Sequence, residues 1–94
     1  MSARPIARAK EIHDDGDIIE IVIWELDAPQ PPCAHRYKYR LFFGTAGNCR
    51  VRYDNERGKG DHRHIDGREE AYAFVTLEDL LADFERDVGN WRDV

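Results

Sequence analysis

Apolar and polar side chains alternate along two stretches in the middle of the chain. Between residues 36 and 43 the odd positions are apolar, and the even positions are basic apart from Phe42. Residues 49–53 repeat the pattern. A period of two predicts two β-strands, and an antiparallel register such as Leu41 opposite Val51 places both apolar sets on one side. The basic side chains then share the other side; they include Lys38, Arg40, Arg50 and Arg52.

Two strands are also predicted before this region. Residues 7–12 and 17–26 flank a turn that ends in Asp15-Gly16, and Asp-Gly supplies the positive φ angles of tight hairpin turns. For residues 7–12 a helix remains an alternative. The second strand is apolar on both faces except at its glutamates, which predicts a central strand. The prolines of residues 28–32 end it, because proline cannot donate a hydrogen bond to a sheet.

The last part of the chain has the pattern of an amphipathic helix. Thr76 is the predicted N-cap, and two acidic residues follow it in the first turn. One apolar stripe then runs at helical spacing through Leu77, Leu80, Leu81, Phe84 and Val88. Gly89 is the predicted end of the helix. Before the helix, Tyr72, Phe74 and Val75 form either a short edge strand or a packing plug.

These elements predict an α+β fold in which an antiparallel sheet of about five strands packs against one C-terminal helix. The 94 residues, 41% of them hydrophobic and 35% charged, are expected to form a single domain over residues 1–94. No apolar run approaches the roughly 20 residues that span a bilayer, and residues 1–10 lack the apolar core of a signal peptide. We therefore expect a cytoplasmic protein without a membrane partner. Cys33 and Cys49 lack CxxC spacing, which favours buried or incidental thiols.

Charge is distributed unevenly along the chain. The net charge is −5, yet residues 35–68 hold nine Lys/Arg against four Asp/Glu, together with three of the four histidines. A basic region of this kind attracts phosphate whatever the total charge is. Like charges on adjacent strands destabilise a sheet, so the basic side predicts either an anionic partner or a neighbouring strand rich in carboxylates.

Residues 53–65 are the densest run of reactive side chains. Gly58 and Gly60 flank Lys59, so the backbone can bend closely around a ligand. The GxxxxGK[ST] spacing of a P-loop is absent. If residues 62–65 are extended, the two histidines share one face while Arg63 and Ile65 share the other, and Ile65 is expected to face the core.

Two imidazoles beside cations suit metal-free cleavage of RNA. One imidazole takes the proton of the 2′-hydroxyl, a second group protonates the leaving 5′-oxygen, and cations stabilise the phosphorane. The candidate catalytic residues are His62, His64, Lys59, Tyr53 and Asp61. The candidate phosphate contacts are Arg50, Arg52, Arg63, Lys38 and Arg40. Asp61 or Asp54 could orient an imidazole.

Other interpretations use the same residues. An HxH pair on a strand is often ordinary surface polarity, and His13 and His35 are expected to lie outside the site. His62 and His64 could instead bind Zn²⁺ or Mn²⁺ with Asp61 or Asp54. No spacing matches a recognised metal signature, so the sequence predicts no cofactor. The basic face could also belong to a non-catalytic binding module that occludes an RNA, a ribosomal surface or a protein.

Several stretches of the sequence resemble the TumE family of small bacterial toxins. They are residues 21–26 (IVIWEL), 35–41 (HRYKYRL), 51–55 (VRYDN), 58–64 (GKGDHRH) and 72–75 (YAFV). The resemblance implies the toxin of a type II toxin–antitoxin module, neutralised by a helix-turn-helix antitoxin of the TumA type. It implies no catalytic assignment, so the nuclease hypothesis depends on the residues above. A strand edge left exposed would also allow a homodimer.

Overall fold

Each strand of the protein pairs with the strand that follows it in the chain. The computed structural model describes residues 3–92, which form one antiparallel sheet in the order β1-β2-β3-β4-β5-β6 and a helix, α1. The elements are β1 (Ala3–Ile12), β2 (Ile18–Leu26), β3 (Tyr37–Thr45), β4 (Asn48–Glu56), β5 (Gly60–Ile65), β6 (Arg68–Ala71) and α1 (Leu77–Arg92). The predicted α+β fold is confirmed, and residues 7–12 belong to a strand.

The sheet has six strands, one more than predicted. β5 and β6 are joined by Asp66 and Gly67, whose φ angles are 53° and 84°. Two successive positive φ angles form the tight turn that suits the twist of a hairpin. Tyr72 and Phe74, which follow β6, pack against the core as a plug rather than as an edge strand, whereas Val75 is 68% exposed and does not join them.

The register of β3 and β4 differs from the predicted one by two residues. Leu41 pairs with Tyr53, and Phe43 pairs with Val51, so the pairing of Leu41 with Val51 was wrong. Val51 and Tyr53 still share one side with Leu41 and Phe43, because a shift of two residues preserves the face, whereas the bulge places Cys49 opposite Gly44 on the other side. A bulge after Phe43 leaves Arg50 without a partner residue in the register and turns its side chain toward α1.

The core lies between α1 and the middle of the sheet. Leu80, Phe84 and Val88 pack against buried side chains of β2, β3 and β4. The sheet contributes Ile23, Tyr39, Leu41, Phe43, Val51 and Tyr53. Thr76 caps the helix as predicted, since its Oγ1 accepts a hydrogen bond from the Asp79 amide at 3.0 Å.

The helix does not end at Gly89, as the sequence predicted, but continues to Arg92. Its last turn is held by tertiary contacts. The Trp91 ring meets Phe43 edge to face, and the Arg92 guanidinium lies 5.2 Å from the Phe43 ring centroid. These contacts outweigh the weak helix propensity of glycine.

None of the helices within residues 3–92 combines the length and the apolar character needed to cross a membrane.

Candidate functional site

The face of the sheet opposite α1 is called the open face below. Side chains alternate between the two faces of each strand, and the core residues identify the face that meets α1. The open face therefore carries Val22 and Trp24 of β2, Lys38, Arg40 and Phe42 of β3, Arg52 and Asp54 of β4, His62 and His64 of β5, and Glu69 of β6. Five predicted site residues, two histidines and three cations, thus share one face.

His64 lies between a cation and a carboxylate. It is opposite Arg52 on one side and opposite Glu69 on the other. Arg52 Nη2 is 2.9 Å from His64 Nε2, and Glu69 Oε2 is 3.6 Å from the same nitrogen. A guanidinium only donates hydrogen bonds, so Nε2 of His64 accepts this one and carries a lone pair.

The two ring nitrogens of His62 are buried and lack hydrogen-bond partners within the described residues. The side chain is 14% exposed, and within residues 3–92 neither Nδ1 nor Nε2 has a partner. Glu69 Oε1 lies 4.0 Å from Nε2, close enough to pair with a protonated ring. An unsatisfied buried polar group costs about 1–3 kcal/mol. Such a group in a native fold requires an explanation, and a functional role is one of the few available.

Lys59 reaches the same carboxylate from the turn between β4 and β5. Its Nζ lies 2.9 Å from Glu69 Oε1. This hydrogen bond and the opposite charges raise the pKa of Lys59 and lower the pKa of Glu69. Glu69 therefore connects Lys59, His62 and His64. The sequence analysis missed Glu69. The Asp66-Gly67 turn was a signal for it, since a two-residue hairpin turn places Glu69 opposite His64.

Carboxylates are interleaved with the cations of the open face. Arg40 Nη1 lies 2.8 Å from Glu20 Oε1, and Arg52 Nε lies 3.2 Å from Asp54 Oδ2. Of the two alternatives that the alternation left open, an anionic partner or neighbouring carboxylates, the structure supplies the carboxylates. They offset like-charge repulsion between β3 and β4.

Tyr53 and Arg63 face α1, on the other side of the sheet from the histidine pair. The buried Tyr53 hydroxyl donates to Asp87 of α1, and Arg63 Nη1 lies 3.4 Å from the same carboxylate. Arg63 also pairs with Glu70 of β6. Burial raises the pKa of the Tyr53 phenol, which keeps it protonated. Both residues hold the helix on the sheet.

Arg50 is separated from Arg52 by the bulge. Its guanidinium lies 4.1 Å from the Trp91 ring centroid, and Nη1 lies 3.0 Å from Asp17 Oδ1. Arg92 Nη2 lies 3.4 Å from the other oxygen of the same carboxylate. Arg50 therefore fixes the end of α1 against the turn between β1 and β2.

Asp61 also faces away from the histidine pair and contacts a different histidine. His35 Nε2 lies 2.8 Å from Asp61 Oδ1, and the Tyr39 hydroxyl donates to the same oxygen at 2.6 Å. Cys33 Sγ lies 3.5 Å from Asp61 Oδ2. His35 and Cys33, which the sequence analysis left outside the site, thus form a buried cluster with Asp61.

The Cys33, His35 and Asp61 cluster is the metal-compatible set within residues 3–92. One donor atom from each residue lies within 4.8 Å of the other two. Burial, followed by the neighbouring Asp61 charge, raises the pKa of the Cys33 thiol. Burial and the hydrogen bond to Asp61 raise the pKa of Tyr39 in the same way. The sequence gives no local signal for this cluster, because 26 residues separate His35 from Asp61.

A family model described as Toxin TumE matches residues 2–92 of the chain. The chain belongs to the TumE toxin family. The family resemblance that the sequence motifs indicated is therefore confirmed over nearly the whole chain. Membership of a toxin family agrees with a role in a toxin–antitoxin module and suggests an antitoxin partner. No curated protein and no solved structure matches the chain.

Proposed function

We propose that this protein is the toxin of a type II toxin–antitoxin module and that it cleaves RNA on the open face without a metal. The observation that supports the nuclease proposal is the partly buried His62 ring. It lies on the open face with His64, Arg52 and Glu69, and its two buried nitrogens lack partners within the described residues. A substrate oxygen becomes a partner of this ring when the half-exposed Glu69 side chain, 4.0 Å from Nε2, moves aside and uncovers that nitrogen.

The spacing of the two imidazoles suits a single phosphodiester. His62 and His64 are two residues apart on a strand, which separates their Cα atoms by about 6.6–6.8 Å. A phosphate between the rings lies within hydrogen-bond reach of both, at about 2.6–3.2 Å. Other spacings along a strand either place the rings on opposite faces or move them a further two residues apart.

The environments of the two rings suggest opposite roles. His64 Nε2 carries a lone pair that accepts from Arg52, and once Arg52 turns to the phosphate this nitrogen acts as the base that takes the proton of the 2′-hydroxyl. His62, near Glu69, acts as the acid that donates a proton to the leaving 5′-oxygen. The 2′-oxygen forms a bond to phosphorus as the bond to the 5′-oxygen breaks. The products are a 2′,3′-cyclic phosphate and a 5′-hydroxyl.

Cations and aromatic side chains of the same face complete the proposed site. In this proposal Arg52 and Lys59 leave their carboxylate partners and stabilise charge on the phosphorane. A hollow of about 160 Å³ between β2 and β3 is lined partly by Trp24 and Lys38. This hollow lies about 10 Å from the histidines, because β3 is two strands away from β5. A nucleotide base next to the cleaved phosphate can therefore stack in it. Tyr53, Asp61, Arg50 and Arg63 support the fold in this proposal and do not contact RNA.

The direct test is incubation of the purified protein with end-labelled RNA in EDTA, followed by analysis of the product ends. We expect 2′,3′-cyclic phosphate ends, and a loss of about 10²–10⁴-fold in rate in His62→Ala or His64→Ala. His13→Ala, in the turn between β1 and β2, is the matched control and should keep the rate of the wild type.

Two other outcomes would contradict this mechanism. Intact RNA that binds tightly and in a salt-sensitive manner would identify a binding module that occludes its target. Cleavage that requires added Zn²⁺ or Mn²⁺, and requires it equally in Cys33→Ser, would assign the histidines to a metal.

The toxin proposal has a separate cellular test. Expression should arrest growth, and co-expression of the proposed helix-turn-helix antitoxin should restore it. His62→Ala should abolish the arrest if cleavage causes it. Continued arrest by His62→Ala would separate toxicity from the proposed chemistry.

A homodimer through β1 is a further part of the proposal. β1 is a ten-residue edge strand, and Ile6 and Ile12 are 47% and 69% exposed. A free edge of this length can pair with a second copy. Sedimentation equilibrium of the wild type should give a dimer. A monomer at all concentrations would exclude this pairing.

A further inference from the structure

The buried Asp61 carboxylate is surrounded by groups that only donate hydrogen bonds to it. His35, Tyr39 and Cys33 all contact it, and the side chains of His35 and Asp61 are each 12% exposed. His35 Nδ1 accepts a hydrogen bond from the Tyr37 amide at 3.1 Å, so the ring is neutral and its proton is on Nε2. The contacting side chains therefore do not neutralise the charge on Asp61.

We propose that Cys33, His35 and Asp61 form a Zn²⁺ site on the helix side of the sheet. Thiolate, imidazole and carboxylate are the three ligand types that Zn²⁺ uses in proteins. Three protein ligands leave a fourth tetrahedral position for a water molecule. The site lies on the opposite face from His62 and His64, so this inference does not depend on the nuclease proposal.

The donor distances are close to those of a tetrahedral site. Zn–S, Zn–N and Zn–O bonds of normal length place neighbouring donor atoms about 3.3–3.7 Å apart. Cys33 Sγ and Asp61 Oδ2 are already 3.5 Å apart. His35 Nε2 lies 2.8 Å from the other carboxylate oxygen, Oδ1, so the carboxylate must rotate to present a single oxygen to the ion, about 3.3 Å from Nε2.

Binding leaves the site electrically neutral. Zn²⁺ displaces the Cys33 proton to solvent, and the His35 proton moves from Nε2 to Nδ1. The charges of the thiolate and the carboxylate then balance those of the ion. The hydrogen bond from the Tyr37 amide to Nδ1 opens at the same time, because both atoms become donors.

Neighbouring side chains are placed to orient the ligands. Tyr39 donates to Asp61 Oδ1 at 2.6 Å, and Asn55 Nδ2 lies 3.9 Å from Cys33 Sγ. The Phe74 ring covers the imidazole of His35, with 3.8 Å between the ring centroids. Hydrogen bonds of this kind fix the ligands of a metal site. An ion here would tie the segment between β2 and β3 to β5.

Cobalt spectroscopy tests the site in the full-length protein. After removal of metals with a chelator, Co²⁺ should produce the visible bands of tetrahedral cobalt and a near-ultraviolet thiolate-to-cobalt band. Added Zn²⁺ should bleach both. Cys33→Ser should lose the thiolate band, whereas the matched variant Cys49→Ser should keep it. Wild-type protein without tetrahedral bands, or a thiolate band that requires Cys49, would overturn the proposal.

A second measurement needs no variant and therefore does not depend on how Cys33→Ser folds. The wild-type protein is alkylated with and without Zn²⁺, and each cysteine is quantified by mass spectrometry. Zn²⁺ should slow alkylation of Cys33 by about tenfold or more, since the metal occupies the nucleophilic sulfur, and leave Cys49 unchanged. Equal rates at Cys33 with and without the ion would contradict the site.

Discussion

At the scale of single residues, Glu69 is the side chain on which Lys59, His62 and His64 converge. It neutralises cations that the proposed function assigns to phosphate. Glu69→Gln should therefore strengthen RNA binding at low salt and steepen the plot of log K against log salt by about one unit, because it releases the charge of Lys59. Filter binding over a series of salt concentrations measures the slope.

Glu70→Gln is the matched control for this change. Glu70 is the next residue on β6 but pairs with Arg63, on the face toward α1. The salt dependence of RNA binding by Glu70→Gln should have the same slope as that of the wild type. Equal slopes in both variants would show that Lys59 does not contact RNA.

Tyr53 should make stability sensitive to alkali. Burial raises the pKa of its phenol in the folded protein, so the stabilisation is complete below the unfolded pKa of about 10 and is lost as pH rises toward the folded value. Each such tyrosine contributes a slope of up to about 1.4 kcal/mol per pH unit. Urea unfolding between pH 8 and 11.5 measures it.

Tyr53→Phe should have a flatter profile above pH 10 than the wild type. At pH 7 it should be about 1–2 kcal/mol less stable, because Asp87 loses a donor. The remaining slope in this variant belongs partly to Tyr39, whose pKa is also raised by burial. Identical alkaline profiles would mean that Tyr53 ionises freely in the folded state.

At the scale of elements, two glycines show how backbone conformation determines the effect of one substitution. Gly67 has a φ of +84°, where an alanine side chain is strained, so Gly67→Ala should cost about 1–2 kcal/mol. Gly89 lies inside α1 with open space around it, so Gly89→Ala should stabilise the protein by roughly 0.5–1 kcal/mol. Urea titration gives both values, and a loss of stability in Gly89→Ala would contradict the helix end described above.

The apolar stripe of α1 can be tested with adjacent residues. Phe84 is 2% exposed and packs edge to face against Tyr53. Phe84→Ala should destabilise the fold by about 3–5 kcal/mol. Glu85→Ala, at the exposed neighbouring position, should remain within about 0.5 kcal/mol of the wild type. Thermal or urea unfolding of the pair measures the contrast.

Elements with a strong local pattern were predictable, and those held by distant contacts were not. The alternation in β3 and β4 identified their faces because each strand has one buried side. β6 has four residues, all exposed, so no hydrophobic pattern marks it. The helix end was missed because Trp91 and Arg92 are held by side chains of the sheet and of the turn between β1 and β2.

At the scale of the whole molecule, the same distinction applies to the candidate site. His62 and His64 could be placed on one face because they lie on one strand. The bulge that removes Arg50 from that face lies at Gly44, where a Cβ would clash with the Asn48 carbonyl oxygen, and this glycine was its only local signal. The contact between His35 and Asp61 joins segments 26 residues apart. Which cations accompany the histidines was therefore decided by tertiary structure.

The pairing of each strand with its successor also has a consequence for how the protein is made. A growing polypeptide can form every hairpin of this sheet as soon as its second strand has left the ribosome, without waiting for a distant segment. The apolar side of the sheet, in contrast, stays exposed to solvent until residues 77–92 emerge and cover it. Nascent chains halted before that point would expose this apolar surface, and chaperones should bind to it.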